Sequence, residues 1–332
     1  MRKESDFNPP WWLSNRHLQT FWAPLSPKIP LPKLHRQRVE LEDGDFIDID
    51  WLNPNRNAPT VVLLHGLEGG IDSPYLRRML FKIHQRRWRG VLVYWRGCSG
   101  EMNRLDKTYH SGRSEDLHQV LQHVQAEIKS KQNIEKQNDK IFVTGYSLGA
   151  NVLLKWLGEQ GDRANITAGC AVSTPFDLSI CADSIDQGFS KIYKHYLLTA
   201  LKRKIAAKFE PDQLLKKLNL TLKDLMLIGS FREFDDRVSS KLNEFEDAED
   251  YYRQASSINY LKTITKPALI LHAQDDPFMS PDIIPSDEQL ADCLELRVSS
   301  HGGHVGFVNE ASIGNASFFL EKTILDYFDR FL

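Results

Sequence analysis

Gly145-Tyr146-Ser147-Leu148-Gly149 sets one serine between two glycines, where the β-branched and aromatic run Ile141 to Thr144 gives way to the helix-forming residues that follow Gly149. A serine hydroxyl in such a setting offers nucleophilic attack, but it is a weak nucleophile near neutral pH. A base must take its proton, and a carboxylate must orient that base. A strand that turns into a helix within so few residues forms a nucleophile elbow: a strained turn exposes the hydroxyl, flanking glycines let strand and helix approach, and the first helical amides point at the site. The plainer alternative for the same residues is a tight structural turn.

The partners are expected downstream, in the order serine, acid, histidine. "ALILHAQDDPFMSP" sets Asp275 and Asp276 at the end of a strand-like run, and "LELRVSSHGGHVGF" sets His301 and His304 beyond the last one. Asp276, just before the turn residue Pro277, is the preferred acid, with Asp275 the alternative and otherwise a turn cap. His304 is the preferred base because Gly302 and Gly303 let the loop return over the sheet, whereas His301 lies nearer the strand and reads as structural. His272 sits within an apolar run and reads as a packed residue.

Attack on a carbonyl also requires donors for the oxyanion that develops. The run "LLHGLEGG" (63 to 70) ends a strand in a glycine-rich loop, so the backbone N–H groups of Leu67 and of Leu148, directly after the serine, are assigned to an oxyanion hole. A phosphate-cradling role for the loop is disfavoured, since no GxxxxGK[ST] pattern is present.

The elements that must hold these residues are legible as two kinds of strand. "RQRVEL" and "FIDIDWL" alternate in polarity around the turn "EDGD" and predict an antiparallel hairpin at a sheet edge, with one face in water. "TVVLLHG", "GVLVYWRG", "KIFVTGYS", "AGCAVST", "ALILHAQ" and "LELRVSS" are almost continuously apolar, as for parallel strands covered on both faces. Helical runs at 74–88, 114–128 and 149–160 alternate with them, which predicts an α/β fold, an eight-stranded and mostly parallel sheet with helices on both faces. The alternation breaks between Pro175 and Lys266, where only helical patterns occur. Residues 1–174 and 267–332 are therefore read as one core and 175–266 as a helical cap inserted into it. The polar stretch 129–140 reads as a solvated loop.

Composition narrows the classes. Of 332 residues, 41% are hydrophobic and 26% charged, and the formal net charge of -2 leaves no basic excess to attract nucleic acid. Four widely spaced cysteines form no CxxC pair, which argues against a disulfide framework or a zinc site and for a reducing cytoplasm. No stretch approaches the roughly 18 apolar residues of a membrane span, and no signal peptide pattern is present. No metal or organic cofactor is expected. Composition says nothing about oligomeric state.

With these residues in view, the chain resembles the α/β-hydrolase superfamily and, within it, the YheT-like or AB hydrolase 4 family. Beyond "GYSLGA" and "HGLEGG", the resemblance rests on "LSNRHLQT" (13–20), "DGDFIDIDW" (43–51), "YWRGCSGEMNR" (94–104), "YHSG" (109–112), "FREFDD" (231–236), "DYYRQAS" (250–256), "DDPFMSP" and "HGGHVGF". It implies a serine hydrolase with a Ser-Asp-His triad carried onto Ser147, Asp276 and His304. The implied activity is of carboxylesterase or acylglycerol/phospholipid lipase type, on a small-molecule ester or lipid with short or medium acyl chains. Eukaryotic relatives carry an N-terminal membrane anchor; this sequence lacks a comparable apolar run, so membrane residence is not expected.

Three further expectations concern residues outside that set. Arg96 and Glu101 are expected to pair as a structural brace, Cys98 to be a small buried thiol without a base beside it, and the aromatic stretch "PPWWLSNRHLQTFW" to pack on the core more than to meet lipid. A catalytically silent binding protein on the same fold, or an acyltransferase using the same serine, are the rival functions.

Overall fold

The apolar runs become strands because β-branched and aromatic side chains suit a pleated surface whose two faces are both covered. The computed structural model describes residues 2–25, 29–130, 139–312 and 315–332. Its main sheet contains β1 (Arg2–Glu4), β2 (Leu34–Glu40), β3 (Phe46–Leu52), β4 (Thr60–Leu64), β5 (Arg89–Val93), β6 (Ile141–Tyr146), β7 (Ala168–Val172), β8 (Ala268–Ala273) and β9 (Leu294–Ser299). Their spatial order is β1-β9-β8-β7-β6-β4-β5-β3-β2. β3 runs antiparallel to both β2 and β5, and the other neighbours are parallel.

Period-two alternation assigns each strand residue to one of two cores. In β4, Val61 and Leu63 pack towards α2 (Pro74–Gln85) and α12 (Phe319–Asp329), against residues such as Met79, Ile83, Ile324 and Phe328. Val62 and Leu64 pack on the other face towards α3 (Ser114–Ser130) and α4 (Leu148–Gln160), against Leu117, Val120, Val152 and Leu153. All four β4 side chains have 0% exposure, and each such burial contributes about 1.5–3 kcal/mol.

The chain passes from β4 to β5 on one side and then returns past β4 to β6 on the other. The sheet order therefore reverses at β4, and the crevice beyond the carboxyl ends of β4 and β6 is where an open α/β sheet holds ligands. The loop after β4 and Ser147 after β6 both open into it.

Two expectations are corrected, the strand count and the water-facing side of the edge hairpin. The main sheet has nine strands, not eight, because Arg2–Glu4 adds a parallel edge strand to β9; three exposed charged residues carry no alternating apolar signal. A separate hairpin pairs Val308–Ser312 with Asn315–Phe318. The β3 strand does not expose one face. All seven of its residues are buried, because Arg38 covers Asp48 at 2.9 Å and Arg36 and the Tyr94 hydroxyl bind Asp50.

Between β7 and β8 the chain is helical. Its elements are α5 (Leu178–Ser184), α6 (Lys191–Lys208), α7 (Pro211–Leu218), α8 (Leu222–Leu227), α9 (Phe231–Phe234), a π-helical turn at Asp235–Ser239, α10 (Ser240–Leu242) and α11 (Ala248–Ala255), with short 3-10 turns. These helices have apolar clusters of their own, one of them built from Leu198, Ile205, Leu214, Leu225, Phe234 and Val238. In the polar stretch 129–140, residues 131–138 lie outside the described residues. Among the described residues no helix is long and apolar enough to cross a membrane.

Candidate active site

Ser147 joins β6 to α4 with φ 52° and ψ -119°, in the region an L-residue rarely occupies. The flanking glycines allow this by close approach. A Cβ at Gly145 would lie 2.3 Å from the Gly149 carbonyl oxygen, and one at Gly149 would lie 2.6 Å from the Leu64 oxygen. Any larger residue at either position would drive α4 off the end of the sheet.

His304 comes to this serine on the loop after β9. Its Nε2 is 2.9 Å from Ser147 Oγ and its Nδ1 is 2.7 Å from Asp276 Oδ2, with Asp276 buried at the end of β8. A carboxylate at Nδ1 fixes the proton there and leaves the Nε2 lone pair for the serine hydroxyl. The Phe278 ring stacks on the imidazole at 4.0 Å between centroids, 9° from coplanar. Asp275 turns the other way, where it accepts from the Gly303 N–H at 3.0 Å and faces His301 Nδ1 at 3.4 Å. The first carboxylate therefore pairs with the outer histidine and braces the loop, while the second meets the inner one.

The glycines before His304 serve both freedom and closeness. Gly303 has φ 57°, and a Cβ there would lie 2.5 Å from the Arg16 carbonyl oxygen. That oxygen belongs to α1 (Arg16–Leu25), whose Thr20 Oγ1 accepts from the His304 N–H at 3.0 Å. Buried Gln19 bridges Leu13 and Val308, donating to both carbonyls and accepting from the Val308 N–H at 2.7 Å. Sequence reasoning missed Gln19 and Thr20. The signal available was a polar pair set between Leu18 and the aromatic pair Phe21-Trp22 in α1.

The loop after β4 closes the other side. His65 is fully buried, and its Nε2 accepts from the Trp95 N–H at 3.2 Å, which leaves the proton on Nδ1 to donate to the Gly66 carbonyl at 2.6 Å. Burial holds this imidazole at about 4, so it stays neutral. The Gly66 carbonyl and the Leu67 N–H share one peptide plane, so the bond that fixes the first orients the second. Neither the Leu67 nor the Leu148 N–H has a hydrogen-bond acceptor among the described residues, and a Cβ on Gly66 would lie 3.1 Å from Ser147 Cβ. Leu67, Leu148, Ser147 and His304 line one cavity of about 830 Å³, with Leu178, Ile185, Tyr193 and Leu197 among the residues on its apolar walls.

Two further expectations fail and one is refined. Arg96 does not pair with Glu101. Its guanidinium is buried with Asp116, Asp43 and Asp45 at 2.6–3.0 Å, while Glu101 stays at the surface with Arg38. The aromatic stretch is largely outside the core: Leu13 is buried, but Trp11 is 88% exposed, and Trp12 and Phe21 are also exposed. Cys98 lines the cavity and is not a wholly buried filler, though burial pushes its thiol up to about 11. His272 is buried and held neutral at about 4 by desolvation, as a packed residue.

Comparison with known proteins gives a consistent set. The family described as alpha/beta hydrolase fold matches residues 59–311. "Putative esterase YheT" of Escherichia coli (strain K12) is 38% identical, over 99% of this chain and 94% of its own. "Phospholipase ABHD3" of Bos taurus is 27% identical over 91% of this chain and 73% of its own. Among solved structures, the Pyrococcus furiosus esterase Pf2001 has a TM-score of 0.54 at 16% identity, covering 92% of this chain and 95% of the other, which is a likeness of fold.

Proposed function

The chain belongs to the α/β-hydrolase fold family and to its YheT-like branch, and from that premise we propose that it is a serine hydrolase of carboxylic esters. The observation that carries this reading is the row Asp276–His304–Ser147, hydrogen bonded at 2.7 and 2.9 Å and opening onto a largely apolar cavity. Ser147 Oγ attacks the ester carbonyl as His304 Nε2 takes its proton. The Leu67 and Leu148 amides receive the oxyanion, and Asp276 stabilises the imidazolium. The protonated His304 then gives its proton to the leaving alkoxide, which departs as the alcohol. Water, activated by the same imidazole, releases the acid from the acyl-serine.

The helical insertion, 175–266, acts as the cap that shapes the acyl pocket. The relatives' names support an ester of small-molecule or lipid type, and the cavity of about 830 Å³ is ample for a short or medium acyl chain. Four free cysteines suit a cytoplasmic setting.

The test is labelling by a fluorophosphonate probe together with hydrolysis of p-nitrophenyl esters of increasing chain length. Labelling and turnover that both vanish in Ser147→Ala support the reading. Folded protein that neither labels nor turns over supports a binding protein instead, and acyl transfer to an added alcohol in preference to water supports a transferase.

A further inference from the structure

Behind the Leu67 amide lies a buried ionic cluster that the reaction described above does not use. Glu68, the next residue, has φ 52°, a left-handed conformation that costs a non-glycine residue energy unless its surroundings hold it there. The holding groups are specific. The Glu68 N–H donates to the Tyr109 hydroxyl oxygen at 2.9 Å, and the Tyr109 hydroxyl donates back to Glu68 Oε1 at 2.6 Å. Lys204 Nζ donates to the same Oε1 at 2.6 Å and lies 3.0 Å from Cys98 Sγ. Lys204 and Glu68 side chains are each only 15% exposed.

Tyr109 and Cys98 come from the core, but Lys204 comes from α6, in the helical layer between β7 and β8. Burial opposes its charge, yet the Cys98 and Glu68 groups outweigh burial and hold the ammonium above the ordinary lysine value. A buried ion pair is a poor source of stability compared with apolar residues of similar size, because both ions lose their hydration. Its distinct contribution is geometric: two charge-assisted bonds at fixed angles hold one backbone conformation.

We propose that Lys204 is a positioning residue for the oxyanion hole: by holding Glu68 in its left-handed conformation it keeps the Leu67 N–H turned towards Ser147, which makes the hole depend on the seating of α6. This rests on the ester-hydrolase reading. His65 fixes the Leu67 peptide from its N-terminal side, and the Glu68–Lys204 pair fixes the chain from its C-terminal side. With Lys204 removed, Glu68 keeps the Tyr109 hydroxyl and the turn keeps its Gly69 N–H to Gly66 carbonyl bond at 3.0 Å, so the left-handed conformation is held less firmly and the Leu67 N–H is less well placed.

The test uses the full chain with p-nitrophenyl butyrate and a trifluoromethyl ketone, whose serine adduct carries its oxyanion in the hole. Outright loss of one donor lowers kcat by about 10²–10³-fold, so misplacing one in Lys204→Met is expected to lower kcat by about tenfold with KM changed by less than about threefold. Trifluoromethyl ketone affinity falls in parallel, Lys204→Arg recovers most of both, and Glu68→Gln combined with Lys204→Met is no worse than either alone. A merely structural role predicts a lower melting temperature or a higher KM with unchanged ketone affinity, and that result overturns the proposal. Should Lys204→Met not fold, Glu68→Gln decides on the same readouts. If Ser147→Ala hydrolyses as fast as the parent, the ester-hydrolase reading itself fails and this inference with it. If Ser147→Ala is inactive while the Lys204 and Glu68 variants match the parent, this inference alone fails.

Discussion

Asp275 and Asp276 are neighbours in sequence with opposite duties in space, and the difference is measurable. Asp276 meets His304 Nδ1, so Asp276→Asn offers the imidazole an amide that permits the wrong tautomer, and kcat for ester hydrolysis should fall by about 10⁴-fold. Asp275→Asn keeps an acceptor oxygen for the Gly303 N–H and should cost less than about tenfold. Steady-state kinetics on both variants check the pair, and a reversed order would transfer the acid's role to Asp275. Chain order and the strand ends made both aspartates and both histidines legible as candidates. Successive residues leaving a strand point in opposite directions, and the turn that decides which one faces the site is set by contacts such as His304 N–H to Thr20 Oγ1, across 284 residues. No local pattern carries that information, and the same holds for Lys204 against Glu68.

At the scale of elements, the junction of β6 with α4 leaves no room for a methyl group. Gly145→Ala and Gly149→Ala meet backbone atoms at 2.3 and 2.6 Å, which cannot rotate away as a side chain can. Each should destabilise the fold by about 1–3 kcal/mol or more and displace the Ser147 turn. Gly169→Ala in β7 meets the flexible Leu157 Cδ1 at 3.3 Å and should stay within about 1 kcal/mol. Urea midpoints for the three variants test this, and a Gly149→Ala protein as stable as Gly169→Ala would sink the close-approach account. The strands with long apolar runs were readable because burial on both faces leaves a continuous signal. β1 was not, because three exposed charged residues at a sheet edge gain their strand geometry only from β9. The Arg96 partners were misread for a related reason: the guanidinium reaches Asp43 and Asp45 across the sheet, more than 50 residues away, and not Glu101 in its own loop.

For the molecule as a whole, buried imidazoles set the response to acid. Burial holds His65 and His272 at about 4 and His110 well below its ordinary value, the last with help from Arg113 and Lys155. In the unfolded chain each returns to about 6.5. Between those values the unfolded state binds protons that the folded state refuses, so stability is full above about pH 6.5 and falls as pH drops towards 4. Each imidazole adds up to about 1.4 kcal/mol per pH unit. Buried carboxyls oppose this: desolvation raises Asp235 to about 6 and raises Asp275, so their contribution grows on acidification. Three imidazoles against two carboxyls, with only the imidazoles acting between pH 6.5 and 6, give a net loss on the acid side. Urea unfolding across pH 7.5 to 4.5 should therefore show a falling midpoint. His272→Gln, which removes one titrating ring from β8, should flatten that fall by up to about 1.4 kcal/mol per pH unit relative to the parent. An unchanged slope in that variant would mean that His272 takes up its proton alike in the folded and unfolded chains, and that burial does not govern its titration.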